Sequence, residues 1–160
     1  MKRSIVIAAT ILFVLAVAAG AMAADDPFNG TWKLNPAKSK APGGRLPHPS
    51  STNEIEIKGE TMHMIVDQSY GTGKLEHVEY TAKFDGKEYP VKVSPPSPDS
   101  YTISLKRIDP RTREFVENIG KRTIKGRDVL SEDGKTFSRI VDGKDAEGHD
   151  TSVIQFFEKQ

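Results

Sequence analysis

Apolar and polar residues alternate along most of the chain, as they do in β-strands with one buried face and one face in water. Residues 75–84 show this best, because Val78, Tyr80 and Phe84 fall in step on one face. Turn-forming pairs such as Asp85-Gly86 separate the alternating segments,. The pattern predicts about ten strands, over residues 30–34, 53–58, 61–68, 75–84, 87–93, 101–108, 113–119, 122–130, 136–141 and 151–158.

The links between these segments are short, which favours strands that follow one another in up-and-down order. We therefore predict an all-β fold, an antiparallel up-and-down β-barrel of eight to ten strands. Residues 35–51 interrupt the rhythm with four prolines and the pair Gly43-Gly44, so they cannot form a helix of useful length,. We expect this segment to be a long irregular loop that gates the mouth of the barrel.

The first 23 residues have the composition of a cleaved secretory signal. A basic start at Lys2 and Arg3 precedes an apolar run over residues 5–19, and small residues then lead to a cleavage site before Ala24,. A retained membrane anchor is the alternative, but the acidic pair Asp25 and Asp26 follows instead of a basic stop-transfer flank. The short apolar run after a basic start fits a bacterial export signal, and we predict that the protein is exported to the periplasm or the extracellular space,.

Residues 24–160 then form a single domain, whose stability must come from packing because the chain has no cysteine,. Loss of Lys2 and Arg3 with the signal leaves 21 basic and 22 acidic residues. This balance offers no basic patch for nucleic acid and no polybasic segment for a membrane surface. We expect neither of these partners, and no integral membrane segment after cleavage; the sequence identifies no protein partner.

No catalytic constellation stands out, so we predict that the protein is not an enzyme and uses no cofactor. The chain lacks both cysteine and a Gly-x-Ser-x-Gly elbow,. His63 and His77 lie on neighbouring predicted strands, but two histidines make a poor metal site and both are expected to face water. Four acidic residues between the last two strands could hold Ca²⁺, although a solvated turn explains them equally well; they are Asp142, Asp145, Glu147 and Asp150,. We predict no metal site.

Several segments resemble the calycins, the superfamily of lipocalins and fatty-acid-binding proteins. Residues 28–34 (Phe-Asn-Gly-Thr-Trp-Lys-Leu) resemble its first strand, in which the tryptophan, here Trp32, packs across the closed end of the barrel. Residues 156–160 (Phe-Phe-Glu-Lys-Gln) are similar to the last strand of fatty-acid-binding proteins. Residues 80–91 and 131–137 resemble a group of secreted bacterial lipocalin-like proteins. The resemblance implies a calycin-type barrel and carries no activity with it.

The chain departs from fatty-acid-binding proteins at two places. Their helical lid is replaced by the loop over residues 35–51, and their Arg-x-Tyr pair on the last strand, which holds a ligand carboxylate, is replaced by Gln155 and Phe157. If a charged headgroup is bound, Arg107 or Arg139 are the candidate replacements, because each falls in step with apolar strand residues.

We therefore predict a protein that carries a small apolar or amphiphilic ligand in its barrel. Paired methionines favour an adaptable apolar lining. The predicted ligand-binding residues are Met62, Met64, Tyr80, Phe84, Ile103, Leu105, Arg107, Arg139, Gln155 and Phe157. One alternative is a filled barrel that acts as an interaction module through the strand edge at residues 87–93. Another is an outer-membrane barrel. The apolar faces that such a barrel turns to lipid are interrupted here by Arg107, Glu117 and Arg139, which is an argument against it,.

Overall fold

Antiparallel strands make up most of the chain that the computed structural model describes, residues 25–144 and 150–160. The predicted signal, residues 1–23, lies outside these ranges. The strands are β1 Gly30–Leu34, β2 Ser50–Lys58, β3 Thr61–Ser69, β4 Leu75–Lys83, β5 Tyr89–Pro90, β6 Lys92–Ser94, β7 Tyr101–Asp109, β8 Thr112–Ile119, β9 Arg122–Leu130, β10 Thr136–Lys144 and β11 Asp150–Lys159. Every predicted strand therefore has a counterpart near its expected position.

A single sheet contains all eleven strands, in the order β5-β7-β8-β9-β10-β11-β1-β2-β3-β4-β6. The strands at its two ends, β5 and β6, are separated in the chain by Val91 alone, so the sheet curls round and nearly closes on itself. This confirms the predicted antiparallel barrel. The count is eleven rather than eight to ten because Pro90, which has no amide hydrogen for a ladder, ends β5 and divides the strand predicted over residues 87–93,.

An aromatic cluster fills one end of the barrel. Trp32 is fully buried, donates its Nε1–H to the Phe28 carbonyl oxygen at 2.8 Å, and meets the Phe137 ring edge-on at 4.9 Å. Phe137 in turn stacks on Phe157 at 4.6 Å. Each such ring pair contributes about 1 kcal/mol beyond the area it buries. We call these four residues the closed end.

The apolar side of the sequence alternation faces the inside of the barrel. On β2, Ile55 and Ile57 are buried while the intervening Glu54, Glu56 and Lys58 are exposed. A membrane barrel needs the opposite arrangement, with an apolar outer band. Within residues 25–144 and 150–160, no helix has the length and apolar character needed to cross a bilayer.

The loop before β2, residues 35–49, is irregular as predicted and contains one short 3₁₀ turn, Pro42–Gly44. Its first half is attached to β11, because Lys40 and Ile154 exchange two backbone hydrogen bonds of 2.7 Å. The Ser39 hydroxyl also accepts a hydrogen bond from the Phe156 amide at 2.9 Å. These contacts lay the first half of the loop along β11, and the second half lines a cavity inside the barrel; we call the whole segment the mouth loop.

Candidate ligand-binding cavity

A cavity of about 970 Å³ lies inside the barrel and opens towards the mouth loop. Its apolar lining comes from opposite walls, with Met64, Val66 and Val78 on β3 and β4 facing Phe115 and Ile124 on β8 and β9. The volume falls in the range of small-molecule sites, roughly 300–1,000 Å³. The interior is therefore hollow, in contrast to the filled core on which the interaction-module alternative was based.

Four polar residues cross the inner wall in one line. Arg113 on β8 is directly opposite Asp128 on β9, which is opposite Arg139 on β10, which is opposite Gln155 on β11. Residues directly opposite each other in a sheet point to the same face, so all four point inwards. We call this set the polar row; Arg139 and Gln155 line the cavity.

Asp128 connects the two arginines of the polar row. Its carboxylate accepts hydrogen bonds from Arg139 Nε at 2.9 Å, from Arg139 Nη2 at 3.1 Å and from Arg113 Nε at 2.9 Å. Burial by itself would raise the pKa of Asp128, but Arg139 and Arg113 outweigh it and hold that pKa below the ordinary value. The ionised Asp128 thus balances one of the two arginines, and the set carries one positive charge in excess.

Aromatic and sulfur contacts complete the surroundings of the arginines. The Arg139 guanidinium lies over the Phe115 ring at 4.7 Å, and the Arg113 guanidinium lies over Phe28 at 4.3 Å. Arg113 Nη1 donates towards the Met62 sulfur at 2.8 Å, while its buried Nη2 has no hydrogen-bond partner among the described residues. Arg113 thus contacts the closed end through Phe28, and Arg139 is the arginine of the polar row that lines the cavity.

Glu117 lies further towards the mouth on the same strand as Arg113, and it also lines the cavity. It faces Ile103 and Ile124 across the neighbouring strands. Burial raises its pKa above the ordinary value, although Arg139 and a hydrogen bond with Tyr101 act in the opposite direction. The sequence pattern identified Glu117 as a charge in step with apolar residues, but we did not predict it as a site residue.

The mouth loop reaches the rim through His48, whose ring meets the Tyr70 ring at 4.6 Å. Tyr70 donates its hydroxyl to Glu76 Oε2 at 2.9 Å, and Gln68 Nε2 donates to the same oxygen at 2.7 Å. Burial and Glu76 raise the pKa of Tyr70 to about 12. The Nδ1 atom of His48 is buried without a hydrogen-bond partner among the described residues.

The structure brings four of the ten predicted ligand-binding residues to the cavity; these are Met64, Tyr80, Arg139 and Gln155. Tyr80 donates its hydroxyl towards the Met64 sulfur at 3.0 Å. Five others are buried in the hydrophobic core and do not line the cavity as described; these are Met62, Phe84, Ile103, Leu105 and Phe157. Sequence periodicity showed that these side chains point inwards, but it could not show where the interior is hollow.

Arg107, the tenth predicted residue, does not reach the cavity. Its guanidinium pairs with Asp26 in the segment before β1 and lies over the Phe84 ring at 4.4 Å. Of the two candidates for a headgroup partner, Arg139 is thus the one that the structure places beside the cavity. Ligand binding by any of the ten residues stays a prediction.

His63 and His77, the two histidines considered for metal binding, lie on the outer surface. His63 contacts Thr81 Oγ1 at 3.0 Å, and His77 contacts Asp67 Oδ1 at 2.7 Å. In the part of the chain that the structure describes, no three His, Asp or Glu residues are grouped closely enough to hold an ion. Asp145 and Glu147, two of the four acidic residues considered for Ca²⁺, lie outside the described residues.

Comparison with known proteins bears on the fold. No protein-family model and no curated protein matches the chain. Among solved structures, a fatty acid binding protein of Schistosoma mansoni in complex with arachidonic acid is 16% identical, with a TM-score of 0.58 over 84% of this chain and 96% of the other. The zebrafish ileal bile acid-binding protein complexed with cholic acid is 13% identical, with a TM-score of 0.52 over 84% and 99%.

A mutant of the fluorescent protein UnaG is also similar, at 12% identity and a TM-score of 0.56, over 84% of this chain and 96% of the other. At these identities the likeness speaks for the course of the backbone and not for the ligand. The closed end, the hollow interior and the antiparallel strand order agree with it. The chain therefore has the calycin-like β-barrel fold of the fatty-acid-binding proteins.

Proposed function

We propose that this protein binds a small amphiphilic molecule inside its barrel and carries or sequesters it without catalysis. The observation that carries the proposal is the cavity of about 970 Å³, which has an apolar lining and a partly buried arginine, Arg139, at its inner wall. An amphiphile would bury its apolar part against Met64, Val66 and Phe115. Two of the similar structures hold arachidonic acid or cholic acid, both of which are amphiphiles.

The polar row favours an anionic polar end on the ligand. Asp128 engages Nε and Nη2 of Arg139, and among the described residues Nη1 has no hydrogen-bond partner, so it could bind a ligand atom. Because the two arginines exceed Asp128 by one charge, an anion beside Arg139 would make the polar row neutral, and burial favours neutral or paired charges. The Gln155 side-chain amide supplies a further donor in place of the family's arginine.

Isothermal titration of the protein with dodecanoic acid tests the proposal, with displacement of the neutral dye Nile red as a second readout. Tyr80→Ala removes part of the cavity lining together with its hydroxyl, so we expect dodecanoic acid to bind about tenfold more weakly while the far-UV circular dichroism spectrum is unchanged. Thr81→Ala, at the next position on the same strand, is the control, because Thr81 is exposed on the outer surface. A wild-type protein that binds neither dodecanoic acid nor Nile red would refute the proposal.

The site of action that we propose is the periplasm or the extracellular space, with removal of residues 1–23 during export. The support is the basic start, the apolar run and the small residues before Ala24,. Expression of the full chain in a bacterium with two membranes, followed by fractionation and intact-mass measurement, tests this. We expect a chain that starts at Ala24 in the periplasm or medium; a full-length chain in the cytoplasm would contradict it.

A further inference from the structure

Glu117 is a carboxylate in the cavity without a cationic partner. Among the described residues, no lysine, arginine or histidine nitrogen lies within 4.0 Å of it in an ion pair, whereas Asp128 has two arginines. Its neighbours across the strands, Ile103 and Ile124, offer no side-chain hydrogen bond. A buried carboxyl group is costly unless hydrogen bonds compensate for the lost water.

Tyr101 is the polar group beside Glu117, and both residues line the cavity. One phenol can donate a single hydrogen bond, whereas a carboxylate has about four acceptor positions. Tyr101 therefore satisfies Glu117 only in part, and the remaining acceptor positions are available on the cavity side. A ligand atom that both donates and accepts, such as a hydroxyl oxygen, could bind to Glu117 and Tyr101 together.

The distance from the polar row sets where such a hydroxyl would have to be. Glu117 follows Arg113 by four residues on β8, which at about 3.3 Å per residue is roughly 13 Å along the strand,. Arg113 lies at the level of Arg139 through Asp128. The Arg139 guanidinium reaches over Phe115, two residues before Glu117, so the two ligand-facing groups are closer than this backbone spacing. A medium-length chain with its anionic end at Arg139 could therefore bring a hydroxyl further along the chain to Glu117.

We propose that Glu117 and Tyr101 form a second polar subsite, which binds a hydroxyl group at the opposite end of the ligand from its anionic group. The inference rests on the proposed function and narrows the ligand class to hydroxylated anionic amphiphiles. A site built to hydrogen-bond a hydroxyl discriminates against the analogue that lacks it, because the buried polar groups are then left unpaired. An unsubstituted fatty acid would place its terminal methyl group against the Glu117 carboxylate.

The test compares the dissociation constants of dodecanoic acid and ω-hydroxydodecanoic acid by isothermal titration. We expect wild type to bind the hydroxy acid more tightly. The ratio of the dissociation constant of dodecanoic acid to that of ω-hydroxydodecanoic acid should fall about tenfold in Glu117→Leu, as for the loss of a hydrogen bond to a charged group. Glu114→Leu is the matched control, because Glu114 lies on the same strand and is exposed on the outside. In this control the ratio should equal that of wild type.

The outcomes separate the second subsite from the cavity itself. If dodecanoic acid and Nile red bind but Glu117→Leu leaves the ratio unchanged, the subsite is refuted and the proposed function stands. If wild type binds none of the three molecules, both proposals fail. Should Glu117→Leu not fold, Tyr101→Phe takes its place: it removes the phenol hydroxyl, so a fall in the ratio supports the subsite and an unchanged ratio overturns it.

Discussion

Asp128 is the residue on which the polar row depends most, because it holds two buried guanidinium groups with one carboxylate. Arg113 and Asp128 are each only 1% exposed, whereas Arg139 is 14% exposed and lines the cavity. Charges in such a place are tolerated only when they are paired. Asp128 therefore both stabilises the barrel and sets the orientation of Arg139 towards a ligand.

Replacement of Asp128 by asparagine should be severely destabilising. Asparagine keeps the shape but removes the negative charge, which leaves two buried cations without a counter-ion; we expect a loss of about 3–5 kcal/mol in the free energy of unfolding. Urea denaturation followed by the fluorescence of Trp32, which is fully buried in the folded state, measures it. Glu54→Gln, on the exposed face of β2, is the control and should change the value by less than about 0.5 kcal/mol,. A loss below about 1 kcal/mol in Asp128→Asn would show that the arginines do not need the carboxylate.

At the scale of a single strand, Gly126 on β9 leaves the space that the Phe115 ring occupies. A Cβ atom there would collide with the Ile140 carbonyl oxygen on β10 and would lie 2.6 Å from Cζ of Phe115 on β8. Because the glycine leaves this space free, the Phe115 ring can lie against β9 and support the Arg139 guanidinium at 4.7 Å. A residue with no side chain thus positions the aromatic wall of the cavity.

The substitution Gly126→Ala should therefore lower stability, although alanine is normally preferred to glycine in a strand. We expect a loss of about 1–3 kcal/mol, as for other overpacked interiors. Gly143→Ala on β10 is the matched control, since its nearest neighbouring atoms lie 3.8 Å from the new Cβ, and it should be neutral or slightly stabilising,. Thermal unfolding of both variants measures the difference; equal melting temperatures would mean that Phe115 moves aside without cost.

At the scale of the whole molecule, access to the cavity depends on how the mouth loop docks against the rim. His48 carries this contact, because its ring meets the Tyr70 ring at 4.6 Å and a tilt of 55°. Burial lowers the pKa of His48 below its ordinary value of 6.5, with Arg139 acting in the same direction and Glu76 and the Ser69 backbone opposing it. Protonation of His48 is therefore disfavoured while the loop is docked.

The mouth should consequently open as the pH falls. His48 is neutral above pH 6.5, where the docked loop has its full stability, and this stability is lost as the pH falls through the lowered pKa,. Stopped-flow release of Nile red should therefore accelerate below pH 6.5 in wild type but not in His48→Phe, which keeps an aromatic ring on Tyr70. His63→Phe, on the outer surface, should behave like wild type. The same acceleration in His48→Phe would assign the effect to another group.

The sequence by itself determined the strands, their antiparallel order and the long irregular loop. Alternation with period two and turn residues are local properties, so they can be read without knowing the partners of a strand. Arg139 and Glu117 could likewise be identified as charges in step with apolar neighbours. Arg113 and Asp128 follow the same period, but they were not predicted as site residues. The period shows that a charged side chain points inwards, and it does not show whether an oppositely charged partner lies on the next strand.

The tertiary structure alone decided which inward-facing residues meet and where the barrel is hollow. The register of β8 to β11 places Arg113, Asp128, Arg139 and Gln155 side by side, although 42 positions separate the first from the last in the chain. Arg107, equally in step, lies directly opposite Arg113 but pairs with Asp26, which is 81 residues away, and does not line the cavity. The position of the cavity depends on how opposite walls fill the space between them. The space that these side chains leave empty depends on residues far apart in the chain, so it cannot be inferred from the pattern of any one strand.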